Sequence, residues 1–310
     1  MGSLYQRVKF LDVGHGDSSV IYLYDRQSEA ESVIVIDVAN CDKLLQELKS
    51  HEVKIIDLLV ISHSDADHCR GVNNFLEKFI ETGVVKQVCY NLDKNPLTKT
   101  SRFYFKKLLE LYRGQGVDVL SGQNDTPNQK KELFSNDNSS LFLLYPNAAE
   151  FTEAYVQNNT NNASIVCLLE NKACKILFSG DLEEYGWKSL LERMPDLQCN
   201  VIKMPHHGAF YDGKKEMGLK AILETLNPQN AIISSGNNQK YNHPDKKTIE
   251  LLNEKMIKIY CTEFTTLCHC NLNEFNKKCY GNIDILVDDF TYVIKTESEN
   301  LLLLCNGACC

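Results

Sequence analysis

Apolar and β-branched residues recur in three short opening runs, RVKFLDVG, SSVIYLYD and SVIVIDVA, each bounded by Gly, Asp or Asn. Period and punctuation together predict three strands. The pattern then alternates. KLLQELKSH reads as a helix, IIDLLVIS as a strand, GVNNFLEKFIE as a helix, VKQVCYNL as a strand and RFYFKKLLELYRG as a helix. The second half keeps this rhythm, with strands predicted at SIVCLLE, KILFSGD, CNVIKMP, NAIISSG and IKIYCTE. Its helices are predicted at LEEYGWKSLLERM, KAILETL and KTIELLNEK. Alternating strands and helices predict an α/β fold. Two polar stretches, SGQNDTPNQKKELFSNDNSS and EAYVQNNTNNAS, read as loops. No stretch has the composition of a linker and there is no solenoid-type repeat, so residues 1–310 are read as one domain.

The chain has 310 residues, 43% of them hydrophobic, which suffices for a sizeable core. The N-terminus lacks the apolar core of a signal peptide, and no apolar run approaches the roughly 18 residues of a membrane span. Thirteen cysteines are scattered through strand-like runs rather than framed for disulfides. Reduced, mostly buried thiols in the cytoplasm are the reading that follows. A formal charge of −8 argues against broad non-specific nucleic-acid binding, although a carboxylate-rich metal site would itself contribute to that balance.

Candidate chemistry gathers after the strands. At the end of the run LLVIS stand His63, Asp65, Asp67 and His68, in ISHSDADHCRG. These offsets scatter around a helix but can curl round one centre at a strand end. A plain helix cap is the competing reading, since Asp is a good N-cap residue. Three later stretches place further hard ligands after predicted strands: Asp181 in KILFSGD, His206 and His207 in VIKMPHHG, and His243 in the YNHP that follows IISSG. Strand-end loops along one sheet edge are where α/β sites form.

In order, FLDVGHGDSSVIYL, VIVIDVA, ISHSDADHCRG, NNASIVCLLE, ILFSGDLEE, VIKMPHHGA and YNHPDKKTIELL resemble the metallo-β-lactamase superfamily. More narrowly they resemble the hydrolase domain of ComEC-type competence proteins, from about Val8 to about Leu252. GNIDILVDDFTYVIKTE resembles that branch's terminal strands. The resemblance implies an αββα sandwich, two mixed β-sheets with helices on both outer faces and metals at the open edge between the sheets. It implies His63, Asp65, Asp67, His68, Asp181 and His243 as metal ligands, with Asp181 bridging, and Asp37 as a carboxylate orienting the ligand loop. His206 and His207 are expected to contact substrate or protonate the leaving group, alongside Asp67 in the catalytic set. Lys203, Asn162 and Asn242 are the candidate substrate contacts. Asp12 and Asp17 are expected to support the site from below. The branch usually has Gln where this chain has His15.

Most superfamily members have His at the position of Asp65, and another His in the region occupied here by Asn161, Asn162 and Ser164. The resemblance implies two divalent metal ions, Zn²⁺ or Mn²⁺ ahead of Mg²⁺; a site rich in carboxylate oxygen tolerates Mn²⁺ or Mg²⁺ better than an all-imidazole zinc site does. Such a pair activates a bridging water and neutralises an anionic oxygen, which suits phosphodiesters. The expected function is that of a phosphodiesterase or nuclease acting on single-stranded nucleic acid or a small phosphodiester. The alternatives are a hydrolase of small esters, lactones or thioesters, and a non-catalytic regulatory protein with a protein partner.

Three segments add little to that picture. In KTSRFYFKKLLELYR, Lys99, Arg102, Lys106 and Lys107 interleave with Phe103, Tyr104 and Phe105, but this is also the pattern of an ordinary amphipathic helix. Lys214 and Lys215 lie closer to the predicted edge. Cys268, His269, Cys270 and Cys279 are too tightly spaced for a usual zinc site, so 266–281 reads as a Cys-rich insertion. The tail 299–310 reads as packed on the body, at a partner surface or as a final strand.

Overall fold

The computed structural model describes residues 4–24, 30–93, 106–108, 110–111, 113–114, 116–126, 128–236, 243–263 and 281–297. Asn242, the aromatic run 103–105 with Lys99 and Arg102, most of the Cys-rich stretch including Cys268, His269, Cys270 and Cys279, and the tail 299–310 lie outside them.

Fifteen strands are described: β1 Gln6–Phe10, β2 Ser19–Tyr24, β3 Ala30–Ile36, β4 Ile55–Val60, β5 Val84–Tyr90, β6 Asp118–Ser121, β7 Lys131–Ser135, β8 Ser140–Tyr145, β9 Val166–Glu170, β10 Lys175–Phe178, β11 Val201–Lys203, β12 Asn230–Ile233, β13 Lys258–Cys261, β14 Ile283–Val287 and β15 Tyr292–Thr296. They form an eight-stranded sheet in the order β15-β14-β1-β2-β3-β4-β5-β6 and a seven-stranded sheet in the order β13-β12-β11-β10-β9-β8-β7. Each sheet is half antiparallel and half parallel. In the first, β3 to β6 run parallel; in the second, β10 to β13 do.

Side-chain alternation explains the layering, because successive residues of a strand face opposite sides. On the first sheet Val8, Phe10, Ile21, Leu23, Ile34 and Val60 join Leu141, Leu143, Cys167, Leu169 and Phe178 of the second in one buried cluster. The Phe10 and Phe178 rings, 5.8 Å apart at their centroids, mark where the sheets touch. Val20, Tyr22, Val33, Val35 and Leu59 turn the other way. They pack under the helices Cys41–Ser50 and Val72–Phe79. Helices Glu184–Arg193, Leu219–Leu226 and Lys246–Glu254 bury Trp187, Leu190, Ile222, Leu223 and Leu252 against the second sheet. This is the expected αββα sandwich.

Two stretches expected to be loops carry regular structure. The first contains β7, an edge strand on which only Leu133 is buried, so it shows almost no apolar period. The second begins inside a helix, Ala148–Val156, which buries only Glu150 and Ala154. Asn147 and Glu150 form a capping box that starts this helix without an apolar stripe. No helix among the described residues is long and apolar enough to cross a membrane.

The functional consequence lies in the parallel halves. Chain segments leaving the C-terminal ends of β3, β4, β10, β11 and β12 carry Asp37, His63 to His68, Asp181, His206 with His207, and His243 respectively.

Candidate metal centre

The loop after β4 is held from below by one carboxylate. Ser62 donates its backbone N–H to Oδ1 of Asp37 and its hydroxyl to Oδ2, both at 2.7 Å, and Nδ1 of His68 donates to Oδ2 at 2.8 Å. Asp37 itself sits at φ 61°, an uncommon conformation for a residue with a side chain. Beyond Ser64 the chain makes a single helical turn, Ala66–Cys69, rather than remaining a loop up to Gly71. Asp65 occupies the N-cap position of that turn but makes no side-chain cap bond, so simple capping does not explain its carboxylate. Asp181 is likewise no cap, because the following helix starts at Glu184 with Glu183 as N-cap.

Three imidazoles are fixed through Nδ1. The Ser234 carbonyl, 2.9 Å from Nδ1 of His207, can only accept, so that nitrogen carries the proton. The Ser62 hydroxyl spends its hydrogen on Asp37, so at 3.1 Å it accepts from Nδ1 of His63. Asp37 fixes His68 in the same sense. Each ring, when neutral, therefore presents an Nε2 lone pair, and none of these three buried Nε2 atoms makes a hydrogen bond to a described residue.

All three point towards Asp181. Nε2 of His68 lies 3.2 Å from its Oδ1, while Nε2 of His63 and of His207 each lie 3.8 Å from its Oδ2. Nε2 of His207 is also 3.2 Å from Oδ2 of Asp67. Asp67, His68, Asp181 and His207 thus offer four ligand atoms within 4.8 Å of one another. Asp65 stands beside them, its Oδ2 3.9 Å from Nε2 of His63. Buried polar atoms are normally satisfied, so this concentration of unsatisfied nitrogens around carboxylates fits a bound divalent cation.

Charge tells the same story. Burial alone would lift the carboxyl of Asp181, but His68, His207 and His63 around it hold it well below the usual carboxylate range. Burial likewise works against charge on His68, yet Asp181 and Asp37 outweigh it and raise its pKa well above that of a free histidine. The pocket stabilises positive charge, the requirement that a divalent cation also meets. His63 differs: burial and its neighbour His68 lower its pKa, which suits a neutral ligand.

A family description, the metallo-beta-lactamase superfamily, matches residues 14–236. The chain belongs to the metallo-β-lactamase superfamily. Members of this superfamily are metal-dependent hydrolases, and the candidate ligand cluster above lies within the matched region. ComE operon protein 3 of Bacillus subtilis (strain 168) is 27% identical over 220 residues, covering 71% of this chain and 25% of that protein. The chain therefore spans about a quarter of that relative. Among solved structures, human tRNase Z, short form, aligns at 13% identity with a TM-score of 0.45, covering 76% of this chain and 93% of its own. Tm1679, a metal-dependent hydrolase of the β-lactamase superfamily, aligns at 10% identity with a TM-score of 0.48, covering 92% and 100%.

The superfamily fold opens a cavity of about 570 Å³ over the cluster, lined by His15, Asp65, Asp67, Arg70, Asn161, Asp181, His206, His207 and His243 among others. It separates the two histidines of PHHG. Both have positive φ, 47° and 54°, but His207 is buried among the ligands while His206 is partly exposed. Nε2 of His206 lies 3.9 Å from Asp181 and Nδ1 3.8 Å from Glu183. His243 packs its ring 5.3 Å from that of His206, and burial pushes its pKa down to about 4.

Two expected substrate contacts are placed elsewhere. Lys203 is buried against Asp17, its Nζ 2.9 Å from Oδ2, and is not among the described residues that line the cavity. That ammonium and the nearby histidines hold the carboxyl of Asp17 below the usual carboxylate range despite its burial. Asn162 is also buried. Its Oδ1 accepts from the backbone N–H groups of Glu183 and Gly186 at the start of a helix, and Asn161 lines the cavity instead. Two residues escaped the sequence reading. His15 places Nε2 3.0 Å from Oδ2 of Asp67, and Asp93, fully buried, accepts from the backbone N–H of Ser64. For His15 the departure from the usual Gln was a signal; for Asp93, in YNLD after a strand, there was none.

Proposed function

We propose that this protein is a metal-dependent phosphodiesterase that cleaves nucleic-acid strands, with His63, Asp65, Asp67, His68, Asp181, His207 and His243 as ligands for two divalent cations. The observation that carries the reading is the convergence of three anchored imidazoles, each with an unsatisfied Nε2, on the two oxygens of Asp181. On this reading His207 belongs with the ligands rather than with His206 as a catalytic histidine. Bound cations supply Lewis acidity and a nucleophilic water of lowered pKa.

The remaining work falls to the chain. Asp181 faces His68 with one oxygen and His63, His206 and His207 with the other, so both of its oxygens would be available to hold bound cations. Asp37 and Ser234 hold His68 and His207 in one tautomer and orientation, so little reorganisation is needed when substrate arrives. His206, partly exposed at the cavity wall and braced by Glu183, is placed to give a proton to the leaving oxygen. A cavity of about 570 Å³ falls in the size range of small-molecule pockets and has room for a nucleotide unit. The likeness of the motifs to ComEC-type hydrolase domains supports a strand as substrate. Seven free, buried cysteines among the described residues support a reducing compartment such as the cytoplasm.

The test is cleavage of end-labelled single-stranded DNA by chelator-stripped protein restored with Mn²⁺, Mg²⁺ or Zn²⁺, beside Asp181→Ala. Cleavage that requires metal and vanishes in the variant is expected. Absence of cleavage with every metal, together with turnover of a small neutral ester, would replace the nuclease reading with that of an esterase.

A further inference from the structure

Among the described residues that line the cavity, Arg70 is the one whose side chain carries a permanent positive charge. Its fixation is unusual. Nε donates to the carbonyl of Ala39 and Nη2 to the carbonyl of His15, each at 2.8 Å. The guanidinium thus ties together the segments following β1, β3 and β4, three of the segments that build the site. Both acceptors are neutral. Arg70 makes no ion pair with a described carboxylate, although Asp65, Asp67 and Asp181 share the cavity, and Nη1 has no hydrogen-bond partner among the described residues.

A fixed, un-neutralised guanidinium beside a cation-binding cluster is organised in advance for an external anion. Arginine's planar fork matches phosphate oxygens, and two bonds to backbone already restrain the rotamers that binding would otherwise have to freeze. We propose that Arg70 is a substrate-binding residue that takes a non-bridging oxygen of a phosphate in the cleft, and so selects anionic phosphoesters over neutral esters. The inference rests on the phosphodiesterase reading for its substrate, while its anion specificity can be tested separately.

The experiment measures the Kd of inorganic phosphate by calorimetry on the Mn²⁺-loaded protein, its Arg70→Lys and its Arg70→Gln forms, with Tm and metal content recorded for each. Gln keeps a donor for one carbonyl and removes the charge; Lys keeps the charge. Phosphate is expected to bind about tenfold more weakly to R70Q, equivalent to about 1.4 kcal/mol, with R70K between it and the parent. Metal content should not change. An unchanged Kd in R70Q, or equal loss of metal in both variants, would overturn the proposal in favour of a purely structural tie. The same three proteins are then compared on bis(4-nitrophenyl) phosphate and 4-nitrophenyl acetate. R70Q should raise KM for the diester alone. If the parent hydrolyses no diester, the proposed function fails while the phosphate Kd values still decide the role of Arg70.

Discussion

Nε2 of His15, from the turn after β1, lies 3.0 Å from Oδ2 of Asp67, and its ring packs 4.8 Å from that of His207 at their centroids. A residue from the turn after β1 therefore braces two members of the proposed ligand cluster at once. His15→Ala should leave Asp67 freer to rotate. We expect weaker metal retention, a kcat about tenfold lower and a Tm lower by a few degrees, because a charge-assisted contact of this kind contributes about 1.5–3 kcal/mol. Metal content after dialysis and steady-state kinetics check it. His15→Gln, which restores a donor, should recover most of the loss.

The two histidines of PHHG should behave differently. His207→Ala removes a buried nitrogen from the ligand cluster, so bound metal and turnover should fall together. His206→Ala should retain metal and lose rate, because its ring stands at the cavity wall and not within the tight cluster. Elemental analysis beside kcat separates the two outcomes; equal metal loss in both variants would contradict this division.

Gly16 is where backbone geometry constrains the site. A Cβ there would lie 2.3 Å from the carbonyl oxygen of Asp67, and its φ of +133° is one that side chains rarely adopt. The close approach exists because Asp17 donates its backbone N–H to that same carbonyl. Gly16→Ala should cost about 1–3 kcal/mol of stability and shift the ligand loop. Chemical denaturation would read the first effect and metal affinity the second.

Buried thiols set an alkaline limit on stability. Burial pushes Cys89 and Cys174 each up to about 12, and raises Cys167 and Cys199 as well. Unfolded, the same thiols ionise near pH 8.5. A group whose folded pKa is raised contributes stability that is complete below its unfolded pKa and declines as pH rises towards the folded value. Stability should therefore fall progressively from about pH 8.5 upwards. At pH 8 the seven buried cysteines should resist a thiol reagent until the protein is denatured.

Taken by itself, the sequence determined what depends on local pattern. Runs such as SVIVI and the helix periods between them predicted most of the described strands and helices. Hard ligands standing just after those runs could be located because a strand end is a local property. Elements with weak periods escaped: β7 buries one apolar residue, and the Ala148–Val156 helix is started by its cap. Only the tertiary structure decided which nitrogens meet. The convergence of His63, His68 and His207 on Asp181, the burial of Lys203 against Asp17 and the contact of His15 with Asp67 each join segments far apart in the chain. Residue type alone cannot say whether a lysine near a site faces substrate or lies beneath it, because that depends on how the two sheets pack and which strand ends they bring together.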